Sequence, residues 1–260
     1  MIIYFSACGN SKQAAYMLSK GLGDDRVVNL ASALKNKEFE YKLEDGEDLG
    51  FVFPVYFWGV PSIVLDFVKS LKVENVENAY VYTAITCGSS TGLAGNMLKK
   101  ALKKRDIKLS AEYGIEMPDT YDVMFPVDKK EVAEQRLDKA EKYISEVVKD
   151  IQEKKTKKTN KRKGGIKKFI TYITYPIYGK YRKTKRFEVS DKCIGCGICE
   201  KVCPIDAIEM KDGKPVWVKE KCVHCLACIH RCPENAIING ASSKNGQYTN
   251  PRINLDIYKK

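Results

Sequence analysis

The run Cys193-x2-Cys196-x2-Cys199-x3-Cys203-Pro204 is repeated as Cys222-x2-Cys225-x2-Cys228-x3-Cys232-Pro233. Each copy carries a matching tail, Ile205-Asp-Ala-Ile208 and Glu234-Asn-Ala-Ile237, so the duplication includes flanking structure as well as thiols. Thiolates are soft anionic ligands, and four of them bind a cubane iron–sulfur cluster while delocalising its charge. A spacing of two residues lets three consecutive thiolates reach three corners of one cube. The fourth cysteine, followed by proline, leaves that loop and enters a helix; in this spacing it ligates the other cluster. The expected ligand sets for two [4Fe–4S] clusters are therefore Cys193, Cys196, Cys199 and Cys232 for one, and Cys222, Cys225, Cys228 and Cys203 for the other. Gly195, Gly197 and Ala227 are small enough to let backbone N–H groups approach the sulfides.

A pair of zinc sites is the competing reading. Zinc usually takes two Cys-x2-Cys pairs separated by a longer loop and has no use for a third cysteine two residues on. On these residues the segment 187–240 resembles the bacterial two-cluster ferredoxin domain. His224 and His230 fall at spacer positions and are expected to be solvated, with tuning of a cluster potential by hydrogen bonding as the alternative.

Working outward, the net charge of +12 over 260 residues looks like a nucleic-acid signal until it is localised. Residues 1–150 carry 20 Lys/Arg against 23 Asp/Glu, residues 151–186 carry 14 against 1, and residues 187–260 carry 11 against 9. The basicity thus belongs to one connecting segment, and no nucleic-acid-binding fold accompanies it. An acidic redox partner or an anionic lipid surface are the other partners such a segment suits. Ten cysteines in a chain with an apolar fraction of 44% indicate metal or redox chemistry in a globular protein. The N-terminus opens on Ile2-Ile3-Tyr4-Phe5 with no charged region before it, which reads as a first strand and not a signal peptide. No apolar run has the length of a membrane span, so a cytoplasmic location is expected.

Residues 1–150 alternate short apolar runs with helical patterns. Strands are predicted at 2–6, 26–29, 50–54, 79–86 and 109–116, and helices at 11–21, 61–71, 92–104 and 129–153; the crossover 31–48 is short. Strands alternating with crossover helices give a parallel sheet covered on both faces. The expected units are 1–153, a basic, Tyr-rich connector 154–186, and 187–260 with a C-terminal tail. Within the connector, 152–168 reads as solvated linker with Gly164-Gly165 as its flexible point. The stretch 166–181, with tyrosines at 172, 175, 178 and 181, is too apolar for linker and is expected to pack on one or both flanking units.

Three loops at strand ends carry the candidate binding chemistry. Ser6-Ala-Cys8-Gly9-Asn10-Ser11 is a small-residue turn at a helix N-terminus, where unpaired N–H groups and the positive end of the dipole suit a phosphate; an ordinary helix cap is the equal alternative. It lacks the Lys-Ser/Thr of a nucleoside triphosphate loop and the Gly-x-Gly-x-x-Gly of a dinucleotide fold, which disfavours NAD(P)H as a direct donor. Pro54-Val55-Tyr56-Phe57-Trp58-Gly59 is an aromatic cluster that a flat isoalloxazine ring could stack on, and Thr86-Cys87-Gly88-Ser89 is again small. In an open α/β sheet such loops converge where ligands bind.

Together these residues resemble the flavodoxin-like family over most of 1–150, and the chain as a whole resembles flavodoxin–ferredoxin fusion proteins of anaerobes. The resemblance implies an α/β fold, a flavodoxin-like five-stranded parallel sheet of order 2-1-3-4-5, followed by a small α+β two-cluster ferredoxin domain. It also implies FMN, held by Ser6, Cys8, Gly9, Asn10 and Ser11, by Pro54 to Gly59, and by Thr86, Cys87, Gly88 and Ser89. Cys8 stands where the family commonly has Thr, which removes a hydroxyl donor to the phosphate. Cys8 and Cys87 are read as small residues fitting tight loops, a redox-active pair being the sharper alternative. The expected function is passage of electrons between FMN and two [4Fe–4S] clusters, coupling one- and two-electron steps with ferredoxin-like or flavoprotein partners. A flavin-dependent reductase of a small molecule or quinone, and a redox sensor, are the rivals. No candidate general base or nucleophile stands beside the flavin loops.

Overall fold

Five short apolar runs pair in parallel in the computed structural model, which describes residues 1–156 and 165–258. They are β1 (Ile2–Tyr4), β2 (Val27–Asn29), β3 (Leu49–Pro54), β4 (Val81–Cys87) and β5 (Ala111–Glu116), numbering the strands of this sheet alone. Their order is β2-β1-β3-β4-β5, as expected from the sequence. Ile3 lies opposite Val28 on one side and Phe51 on the other, and Val52 opposite Ala84. Every residue of β4 is buried, as a central strand covered on both faces requires.

The covering helices are α1 (Asn10–Leu22) and α5 (Lys130–Gln152) on one face, with α2 (Leu30–Asn36), α3 (Ser62–Ser70) and α4 (Ala94–Lys103) on the other. Leu18, Tyr82, Tyr113, Leu137 and Ile144 fill the first layer; Phe51, Phe53, Phe67, Ile85 and Leu98 fill the second. The short crossover holds more structure than its pattern suggests. Asn29 caps α2 by accepting from the Ala31 and Ser32 N–H groups at 2.9 and 3.2 Å. Residues Glu40–Lys42 then pair in parallel with Lys72–Glu74 as a separate ribbon. Segments of three residues are too short for a periodicity to register.

The C-terminal part is built on the repeat. Short helices α7 (Ile198–Lys201) and α8 (Ala227–His230) follow the two cysteine loops. An antiparallel hairpin, Ile208–Lys211 with Lys214–Trp217, turns at Asp212-Gly213, both with positive φ, and Glu188–Val189 pairs with Ile237–Ile238.

Three devices join the two parts. The first is α6 (Gly165–Tyr181), the Tyr-rich stretch of the connector. The buried Tyr178 hydroxyl accepts from the Ser62 N–H at 3.3 Å and donates to the Val223 carbonyl at 2.6 Å, one partner from each part. Tyr175 donates to the Val60 carbonyl at 2.7 Å, and its ring occupies the space that a side chain at Gly59 would need. Of the expected linker 152–168 with its flexible point at Gly164-Gly165, residues 157–164 lie outside the described residues, whereas Gly165 to Lys168 are not linker but the first turn of α6.

The second device is the tail. The Asn250 side chain, 2% exposed, donates to Asn10 Oδ1 at 3.0 Å and Gln13 Oε1 at 2.7 Å, and its backbone N–H bonds the Cys8 carbonyl. Asp256 pairs with Lys12 at 2.6 Å and accepts from the Tyr4 hydroxyl. The chain end thus returns to the first strand and helix.

The third device is a buried pair below the β5 loop. His230 donates from Nε2 to the Thr120 carbonyl at 2.8 Å and accepts at Nδ1 from the Tyr248 N–H, which fixes its tautomer. The unprotonated Nδ1 sits 3.9 Å from Asp122 Oδ2, and neither side chain is exposed. Both carboxyl oxygens of Asp122 lack a hydrogen-bond partner among the described residues. Burial pushes this carboxyl up from 3.8 to about 7.

Two outcomes follow from these contacts. Tyr178→Phe leaves a buried N–H and carbonyl without their shared partner, and should lower the denaturation midpoint by the equivalent of about 1–3 kcal/mol. For Asp122 the raised pKa means that the fold tolerates the acid fully below its unfolded value and loses stability as pH rises through about 7. Asp122→Asn should therefore stabilise the protein at about pH 8, by at most on the order of 4 kcal/mol, and have little effect near pH 4. Thermal midpoints of both proteins across that range measure the difference.

Candidate functional site

The carboxyl ends of β1, β3 and β4 open onto a cavity of about 400 Å³. Ser6, Cys8, Asn10, Ser11, Pro54, Val55, Tyr56, Phe57, Trp58, Thr86, Cys87, Gly88 and Ser89 all line it. Gly9 and Gly59 do not. A side chain on Gly9 would run into Asn250 and Leu255 of the tail, and one on Gly59 into Tyr175, so both glycines serve close packing behind the wall.

At the α1 end the surroundings are polar. Gly9, in the left-handed region at φ 98°, donates to Ser6 Oγ at 3.1 Å, which folds the loop so that the helix starts at Asn10. Ser11 and Thr86 hydroxyls meet at 2.7 Å. The Asn10 side chain, held by Pro118, Tyr248 and Asn250, belongs to the scaffold of the loop. Burial pushes the Cys8 thiol well above its ordinary range, so the group at the Thr position of the family is a neutral thiol.

The aromatic loop is a two-residue hairpin turn. Tyr56 and Gly59 exchange N–H···O bonds at 3.0 and 2.9 Å, leaving Phe57 and Trp58 at φ 48° and 57°. Bulky residues with positive φ cost on the order of 1–3 kcal/mol each and persist only where the surroundings over-determine them. Here the Trp58 carbonyl accepts from the Leu93 N–H at 2.9 Å, and the Phe57 ring stacks on Tyr178 at 5.5 Å with Tyr121 and Tyr181 beside it. Phe57 therefore lines the cavity from within an aromatic cluster that ties in α6.

The eight clustered cysteines separate into two groups. Cys193, Cys196, Cys199 and Cys232 line one small cavity, and Cys203, Cys222, Cys225 and Cys228 line another. The fourth cysteine of each run thus faces the thiols of the other run, the grouping expected from the spacing. In each set four thiols stand around one small space, a soft donor set of the kind that binds a cubane. Backbone N–H groups aim at the sulfurs, from Ala207 to Cys203, His224 to Cys222 and Ala236 to Cys232, at 3.2 to 3.3 Å. The residues present fit such clusters.

One stretch belongs to two cavities. His224, Cys225 and Leu226 line the space ringed by Cys203, Cys222, Cys225 and Cys228, and also the large cavity at the strand ends. His224 is 3% exposed and not solvated as its spacer position suggests. Its Nε2 lies 3.3 Å from the Tyr121 hydroxyl, within rings of Phe57, Tyr121, Tyr181 and Phe187, and burial lowers its pKa to about 4. His230 is equally buried.

Sequence reasoning missed one whole wall. Met117, Pro118, Thr120, Tyr121, Met124 and Phe125, from the loop after β5, line the large cavity, as do Thr174, Ile177 and Tyr181 of α6. The position of that loop at a strand's carboxyl end was a usable signal, although it lacks the small-residue signature of the other three. The α6 residues carried none, because only the docking of the connector brings them there. The hydroxyls near α1 and the apolar and aromatic walls further out match the two ends of a flavin mononucleotide, so the residues present fit that group.

Comparison with known proteins agrees with this division. Residues 1–159 match the family model described as a flavodoxin domain, and residues 192–237 match the 4Fe–4S dicluster domain. Ferredoxin-2 of Desulfomicrobium norvegicum is 59% identical over 27 residues, which are 10% of this chain and 46% of that protein, so the match spans under half the length of that relative. A candidate flavoprotein from Bacteroides uniformis ATCC 8492 aligns at 16% identity and a TM-score of 0.34, over 53% of this chain and 96% of its own. Rubredoxin oxygen:oxidoreductase from Desulfovibrio gigas aligns at 15% identity and a TM-score of 0.31, over 57% of this chain and 35% of its own. With more than half of its length matched, the chain belongs to the flavodoxin domain family, and its second match makes it a flavo-iron–sulfur protein.

Proposed function

We propose that this protein transfers electrons between FMN in the large cavity and two [4Fe–4S] clusters in the thiol cavities. The observation that carries the reading is the shared wall: Cys225, with His224 and Leu226, lines both the large cavity and one thiol cavity. Bound there, the flavin would supply a carrier of one or two electrons and each cluster a carrier of one. The chain's own work is positioning. Ser6, Ser11 and Thr86 with the first turn of α1 hold the phosphate end, Tyr56 and Trp58 flank the ring, and the two cysteine sets fix the clusters. The cluster of Cys203, Cys222, Cys225 and Cys228 is the flavin-facing one. Cys196 is exposed, whereas the flavin-facing thiols are buried or half-buried, so the other cluster is the port for an external one-electron partner such as a ferredoxin-like or flavin protein.

A flavin-dependent reductase of a small molecule is the second reading. It is favoured by the exposed apolar side chains Met124 and Phe125 on the cavity wall. Turnover of a quinone or other organic acceptor in stoichiometric yield would support it; re-oxidation by protein acceptors alone would support the carrier.

Anaerobic purification should give about eight irons, matching sulfide and one FMN per chain. Zinc without acid-labile sulfide would overturn the cluster assignment, and clusters without flavin would overturn the flavin site. Cys203→Ser should damage the cluster of Cys222, Cys225 and Cys228, spare the other cluster's paramagnetic signal, and slow flavin reduction through the clusters by about tenfold or more. An unchanged rate would show that electrons reach the flavin by another route.

A further inference from the structure

The helix α6 is amphipathic in an unusual sense: its outward face is apolar too. Thr171, Thr174, Tyr175 and Tyr178, at helical spacing, face the flavodoxin domain, with Tyr178 also reaching the Val223 carbonyl. That docking fixes the orientation of the helix and leaves Tyr172 and Ile173 at 68% and 50% exposure, with Pro176 and Ile177 beside them on the next turn. Ile177 also lines the large cavity together with Trp58, Met124 and Phe125, which are exposed themselves. Exposed apolar side chains thus run from the outward face of α6, through Ile177, to the lining of the cavity. Exposed patches of this kind on a folded chain mark interaction surfaces.

Charge identifies the occupant. Lys180, Lys183 and Lys185 are exposed just beyond the patch, and the segment 151–186 holds 14 Lys/Arg against a single acidic residue. A second copy of the chain would bring the same positive charge to the contact and be repelled. No helix among the described residues is long and apolar enough to cross a membrane, so a lipid contact has to be interfacial. An apolar face flanked by lysines is what lies in the plane of an anionic leaflet, with tyrosine at the headgroup level. We propose that the outward face of α6, with the rim of the cavity mouth, docks on the surface of a membrane rich in anionic lipid and turns that mouth toward the bilayer.

The test is co-sedimentation of the full holoprotein with phosphatidylcholine vesicles, with and without phosphatidylglycerol. Binding to the anionic vesicles should exceed binding to the neutral ones by about tenfold or more and fall as salt is raised. Ile173→Asp and, separately, Lys180→Glu with Lys183→Glu should each weaken it by about tenfold or more, since each basic residue near an anionic leaflet is worth about a fivefold change. None of these residues lines the cavity, so flavin and iron content should match the parent and report folding. If Ile173→Asp fails to fold, the surface lysine pair carries the test. Absence of binding to anionic vesicles, or equal binding by the variants, overturns the proposal. So does a concentration-dependent dimer that Ile173→Asp dissociates while vesicles have no effect. Vesicle binding is read independently of electron transfer, so its failure leaves the redox assignment standing.

Discussion

The hydroxyl of Tyr178 is the constraint on which the arrangement of this molecule rests. It is a single buried phenol whose two hydrogen bonds run to Ser62 at the start of α3 and to Val223 inside the second cysteine loop. A donor and an acceptor buried at a joint are costly to leave unmatched, so the two parts are held in one relative position, not merely tethered. Its ring meanwhile stacks on Phe57, which carries the constraint to the turn after β3. The large cavity at the strand ends and the nearer thiol cavity share a wall because these contacts hold that loop against the strand ends.

The strain at Phe57 and Trp58 makes sense in that setting. A turn with both central residues at positive φ is ordinarily made with Asn-Gly, at little cost. Here large aromatics occupy both places. The stabilisation that offsets the strain comes from the cluster of Phe57, Tyr121, Tyr178, Tyr181 and His224, which draws one member or more from each of four separate stretches of chain. Strain concentrated at one turn is accordingly a sign that this turn couples parts of the molecule, beyond lining a pocket. The returning tail acts on the opposite side: Asn250 and Asp256 hold the first loop and helix from behind, so the polar end of the cavity is braced by the last residues of the chain.

Much of this was legible in the sequence wherever a short-range rule applied. The parallel sheet followed from alternating strands and crossover helices, and its order from the flavodoxin-like resemblance; of the fifteen residues named in the three strand-end loops, thirteen line the cavity. The two that do not, Gly9 and Gly59, admit the close approach of Asn250 and Tyr175 respectively. His224 and His230 were misplaced in water. A spacer position in a cysteine loop says nothing of what packs over it, and what packs over them comes from residues about a hundred positions earlier in the chain.

By itself, then, the sequence determined the chemistry: two sets of thiols whose spacing suits cubane clusters, a parallel sheet, and loops suited to a flavin. Those properties are local, set by ligand type, by residue spacing and by the periodicity of apolar side chains. The tertiary structure alone decided adjacency. Which cysteine set faces the large cavity, which lies nearer solvent, that α6 supplies part of the cavity wall, and that its outer face stays apolar and uncovered are all consequences of docking. Docking is set by matched buried polar groups and ring contacts between residues far apart in the chain, and no spacing rule encodes those.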